Sequence, residues 1–179
     1  MMHKGMVGLC LLVLTGCMSV PISTMVRMAG FDRDDFLALE PQALRLKLTL
    51  DQDVPVQLAA TRLELGAELD SGQQQLFAGS VQQEDYREYQ IEGSWFSREP
   101  QPRYQYLLAL DEAGEAAIRD FQRVLREEEV ASASLNVRLD LDDNFDKTVL
   151  VTVEVKLSER EGFFTLLDEA TFEPERYRD

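Results

Sequence analysis

Ala43-Leu44-Arg45-Leu46-Lys47-Leu48-Thr49-Leu50 is the stretch that decides the fold class. Four leucines alternate with arginine, lysine and threonine. A period of two puts every leucine on one face of an extended strand and every polar side chain on the other. The same alternation returns at Leu63, Leu65, Ala67 and Leu69, at Leu135, Val137, Leu139 and Leu141, and at Val149, Val151, Val153, Val155 and Leu157. Weaker strand signals cover 75–82, 86–91 and 104–110. Strands with one apolar face belong in an antiparallel sheet packed on one side, here of about six to eight strands.

The period changes once, over residues 111–128. Ala117, Ile118, Phe121, Val124 and Leu125 form an apolar stripe at helical spacing, while Glu115, Arg119, Asp120, Arg123 and Arg126 fill the remaining faces. Asp111 is placed to cap the first turn. The expected architecture is α+β: a predominantly antiparallel sheet, one long helix lying on its apolar face, and a closing hairpin made of the strands at 135–141 and 149–157. Neither an internal repeat nor a second domain boundary appears, so residues 42–179 read as a single domain.

Working back to the N-terminus, His3 and Lys4 are followed by the apolar run MVGLCLLVL at residues 6–14. That run is well short of the ~20 residues a membrane-spanning helix needs, and it fits the apolar core of an export signal. It ends at Leu14-Thr15-Gly16-Cys17, which resembles the lipobox of bacterial lipoproteins. The resemblance implies cleavage after Gly16, diacylglycerol on the Cys17 sulfur and acylation of the new amino group, with residues 1–16 as signal peptide. Two or three acyl chains would hold the protein on a membrane, because each buried methylene contributes roughly 0.8 kcal/mol. With Met18 where retention at the inner membrane usually requires aspartate, it further implies an outer-membrane anchor facing the periplasm.

Residues 17–41 read as a lipid-anchored tether. Val20-Pro21-Ile22 is extended, and Phe31-Asp32-Arg33-Asp34-Asp35-Phe36-Leu37-Ala38-Leu39 forms a short helix that docks through its apolar side chains. The segment from Ser19 to Pro41 also resembles the N-termini of uncharacterised proteobacterial envelope lipoproteins, a likeness that points to the cell envelope and brings no activity with it.

Counting residues narrows the chemistry. The chain has two cysteines, Cys10 and Cys17, and one histidine, His3. Past Cys17 there is neither, which excludes a Ser-His-Asp triad, a Cys-His pair, a disulfide and any zinc site with Cys or His ligands from the exported part. Acidic residues number 33 against 18 basic ones, a formal net charge of −15. Such a chain repels nucleic acid, and its expected partners are neutral or basic.

Three constellations remain. Asp140, Asp142 and Asn144 match the first three ligand positions of an EF-hand-like calcium loop, but Phe145 stands where glycine is needed and Val151 where the bidentate glutamate is needed. The same residues suit a hairpin turn, which is the reading preferred. Gly93-Ser94-Trp95 resembles the Gly-x-Trp of lipocalins in three residues only, too late in the chain for an eight-stranded barrel to follow. Trp95 and Phe96, ahead of a proline-bounded loop at 97–103, are instead partner-binding candidates. Adjacent acids (Asp34-Asp35, Glu84-Asp85, Asp111-Glu112, Glu127 to Glu129) are too numerous to mark a glycosidase-type pair.

The expected function is therefore a non-catalytic binding or scaffold module, not an enzyme, anchored through Cys17 and engaging an envelope protein, with no cofactor. The alternatives are a carrier of a small apolar ligand in a cavity between helix and sheet, and a carboxylate-based hydrolase.

Overall fold

A computed structural model describes residues 32–92, 99–141 and 147–173. Among the described residues, seven antiparallel strands form one curled sheet, a half-barrel, accompanied by two helices. In chain order these are α1 (Arg33–Leu37), β1 (Arg45–Leu50), β2 (Arg62–Leu69), β3 (Gln74–Ile91), β4 (Gln101–Leu110), α2 (Glu112–Glu127), β5 (Val130–Arg138), β6 (Val149–Lys156) and β7 (Phe164–Phe172). Across the sheet the order is β5-β2-β3-β4-β1-β6-β7.

β1 is central because both of its edges are paired. Leu46, Leu48 and Leu50 lie opposite Leu108, Tyr106 and Tyr104 of β4 on one side and opposite Val155, Val153 and Val151 of β6 on the other. Directly opposite residues share a face, so these side chains meet in one layer. Burial of each such leucine contributes roughly 1.5–3 kcal/mol relative to exposure. On the reverse face Lys47 pairs with Glu154 at 3.0 Å and Arg45 with Glu84 at 2.6 Å.

The expected closing hairpin does not form. β5 pairs with β2 at one edge of the sheet, while β6 lies between β1 and β7 near the other. The segment joining them is a crossover, so a hairpin turn at 140–146 is corrected. Alternation fixes which face a residue takes; it carries no information about which strand lies alongside. β5 also ends at Arg138, short of the expected Leu141, and Leu141 instead makes an isolated bridge to Val56.

Two further boundaries change. The strand signals at 75–82 and 86–91 belong to one strand of 18 residues, interrupted by a bulge between Gln83 and Asp85. Residues 101–103, expected in a loop, open β4, with Pro102 opposite Gln90. Proline is tolerated there because β4 has already outrun β1, whose last pairing is Leu50 with Tyr104.

β7 had no counterpart in the alternation. Its register against β6 shifts twice, and Glu169 takes a left-handed φ of 46° within the shift between Ala170 and Leu167, which breaks the period of two.

α2 begins at Asp111, whose carboxylate accepts the Gly114 N–H at 2.7 Å and the Ser80 hydroxyl at 2.6 Å. Gly114 is required by close approach, since a Cβ there would lie 2.3 Å from the Ser80 carbonyl oxygen. The buried face of the helix is Gly114, Ile118, Phe121, Gln122 and Leu125. Phe121 packs edge-on against Phe77 of β3 and Phe36 of α1, with ring centroids 5.6 and 5.5 Å away. Phe36 and Leu39 thereby join the core.

Candidate partner-binding edge

β3 has a different neighbour along each half. Gln74–Ser80 pairs with β2, and at Ser80 the strand meets the N-terminus of α2, the Asp111 N–H donating to the Ser80 carbonyl at 3.2 Å. From Val81 to Ile91 the strand pairs with β4 alone. Among the described residues no strand pairs with the opposite edge of that second half. A row of main-chain N–H and C=O groups without a ladder is a template for an added strand.

The side chains of this strand are equally distinctive. The exposed large hydrophobics of the described residues are Leu76, Tyr86, Tyr89 and Ile91, with 65, 39, 39 and 37 % of their surface accessible, and all four are on β3. Tyr86 rests against the nearly buried Tyr106, ring centroids 4.9 Å apart. Desolvation, followed by the nearby charge of Asp53, raises the Tyr86 hydroxyl above its ordinary range, so it stays a neutral donor.

Ion pairs fix the strand where the bulge begins. Arg45 grips the Glu84 carboxylate with two N–H groups, at 2.6 and 3.0 Å. Asp85 accepts from Arg87 Nε at 2.7 Å and from the Tyr86 N–H at 2.9 Å, and these two bonds hold its pKa below the usual carboxylate value. With Glu84 matched by Arg45 and Asp85 by Arg87, Glu88 and Glu92 leave the edge acidic.

A second feature is an open groove of about 640 Å³ where the chain after α1 passes α2. Its walls include Glu40, Glu159, Arg119 and Arg126, and Gln122 lies at its floor. The Glu40 carboxylate accepts the Glu159 N–H at 3.2 Å, and a hydrogen bond from Lys156 lowers the Glu159 pKa. Mixed charge in an open groove offers no single chemistry.

Of the residues the sequence singled out, Cys17, Trp95, Phe96, Asp142 and Asn144 lie outside the described residues. Trp95 and Phe96 fall in the segment that joins β3 to β4, the two strands of the candidate edge. Asp140 is described, and its backbone is tied to the loop after β1: its carbonyl accepts the Gln57 N–H at 2.9 Å and its N–H reaches Thr61 Oγ1 at 3.5 Å. Val151, at the would-be last calcium ligand, is fully buried in β6. Among the described residues no three carboxylates gather to hold a metal ion.

Sequence reasoning missed Tyr86, Tyr89 and Ile91 because their exposure depends on β4 being their only neighbour. The signal available was the run of charge around them. Among the described residues no helix is long and apolar enough to cross a membrane. Comparison with protein-family models, with curated proteins and with solved structures gives no match.

Proposed function

We propose that the chain is a bacterial envelope lipoprotein, anchored by lipid on Cys17 at the periplasmic face of the outer membrane, whose domain acts without catalysis as a binding or scaffold module. The observation that carries the binding role is the gathering of all four exposed large hydrophobics of the described residues on β3. Apolar side chains scattered singly over a surface need no explanation, whereas Tyr86, Tyr89 and Ile91 fall close together where β3 pairs with β4 alone, which marks an interaction site.

Two observations favour a scaffold over a ligand carrier. The space between α2 and the sheet, where a carried molecule would sit, is filled by the rings of Phe36, Phe77 and Phe121. Phe121, Ile118 and Leu125 have no accessible surface. The anchor rests on Leu14-Thr15-Gly16-Cys17 alone.

The test has two arms. Cys17→Ser is expected to accumulate as a precursor that incorporates no labelled palmitate; normal cleavage and labelling in that variant would remove the anchor from the proposal. A photo-crosslinking residue in place of Tyr89, in the native lipidated protein within intact cells, is expected to give a discrete adduct with an envelope protein. Adducts from a crosslinker at Arg123 on α2 and none from position 89 would move the binding site off β3.

A further inference from the structure

Resting on that binding reading, we propose that the open edge of β3 takes up an extended, lysine- or arginine-rich segment of a partner protein as an added strand. Three observations converge on it. Main-chain groups along the second half of β3 have a ladder only toward β4 among the described residues. Tyr89 and Ile91 lie on one face of that stretch and Tyr86 on the other, so each face of an incoming strand meets apolar surface. With Glu84 bound by Arg45 and Asp85 by Arg87, Glu88 and Glu92 are the acidic surplus of residues 84–92, in a chain whose net charge is −15.

Charge also selects against the other obvious occupant, a second copy of the chain. Past the bulge, the regular stretch 85–91 would pair with its own copy antiparallel across a two-fold axis. The register of greatest overlap then sets Glu88 opposite Glu88, one centred a residue earlier sets Arg87 opposite Arg87, and one centred a residue later, with Tyr89 opposite itself, avoids like charges only by shortening the paired stretch to residues 87–91. Like charges directly opposite are destabilising. Charged side chains on an edge are a standard protection against self-pairing, and an acidic edge that repels itself still attracts a basic strand.

The test uses the full chain and two labelled nine-residue peptides, one alternating lysine with valine and one alternating glutamate with valine, followed by fluorescence anisotropy. The lysine peptide is expected to bind at least tenfold more tightly, and its affinity to fall as salt is raised. N-methylation at the odd or the even positions of that peptide separates strand pairing from simple charge attraction. Only one edge of an added strand pairs, so one methylated form loses binding and the other keeps it. The double variant Glu88→Lys with Glu92→Lys is expected to weaken the lysine peptide at least tenfold while the circular dichroism spectrum and melting temperature stay unchanged. Equal affinity for the two peptides, or indifference to both methylation patterns, overturns the proposal. A concentration-dependent dimer of the chain alone that is lost in the double variant also overturns it, by giving the edge to a second copy. If peptide binding fails while a discrete adduct at position 89 persists, the strand-addition mode is wrong and the binding reading survives.

Discussion

Gln122 shows how one polar side chain can organise a buried junction. It lies within the apolar stripe of α2, 5 % exposed, and its amide nitrogen donates to the carbonyls of Phe36, Leu37 and Leu39 at 3.3, 3.2 and 2.8 Å. These carbonyls lie at and just past the end of α1, and buried groups of this kind need a donor. Gln122→Leu preserves volume and deletes that donor, so a loss of roughly 1–3 kcal/mol is expected by urea denaturation. An unchanged midpoint would mean that water can replace the amide. Asp111 makes a second prediction. Its pKa is lowered chiefly by the Ser80 hydroxyl and then by the Gly114 N–H, so the charged form is the one the folded state favours. The resulting stabilisation is complete above the ordinary aspartate range and disappears as the pH falls through the depressed folded-state value. Asp111→Ala is therefore expected to cost about 0.5–2 kcal/mol at neutral pH, with the gap to wild type closing in acid below the usual carboxylate range. A gap that widened on acidification would contradict this assignment.

Elements meet at one aromatic cluster. Phe121 is the largest fully buried side chain among the described residues, and it links α2 to β3 through Phe77 and to α1 through Phe36. Truncation leaves a cavity that three separate elements would have to move to fill. Phe121→Ala is expected to lose roughly 3–5 kcal/mol. A scaffold with a filled core predicts that wild type does not bind an apolar fluorescent probe stoichiometrically, and one-to-one saturable uptake by the native protein would favour the carrier instead. The division of β3 belongs to this scale as well. Its first half pairs with β2 and meets the start of α2 at Ser80, and its second half pairs with β4 alone.

For the molecule as a whole, cohesion comes from one core without cross-links. The only cysteines are Cys10 and Cys17, both ahead of the first described element, so no disulfide can join two parts of the sheet. The melting temperature of the full chain is expected to be the same with and without reductant. A fall of several degrees on reduction would show that a cysteine pair constrains the fold. The sheet instead gains its stability from packing, with Leu44, Leu48, Leu50, Leu63, Leu65, Val149 and Val151 all essentially inaccessible.

Much of this was written into the chain locally. Alternation at 44–50 and 149–157 specified strands and the face each would bury, because a side chain's direction along a strand depends only on the parity of its position. An antiparallel, β-rich α+β fold was legible from that pattern, as was the absence of histidine and cysteine chemistry beyond Cys17. Strand order was not legible: Leu135 and Val149 obey the same period yet end near opposite edges of the sheet, since neighbour choice is settled by how the whole sheet closes over a shared core. For the same reason Gln122, polar within an apolar stripe, acquires its role only where three carbonyls of α1 and the turn after it converge on it. Tyr86, Tyr89 and Ile91 become a candidate surface only because β2 stops pairing at Ser80 and no described strand continues along that edge.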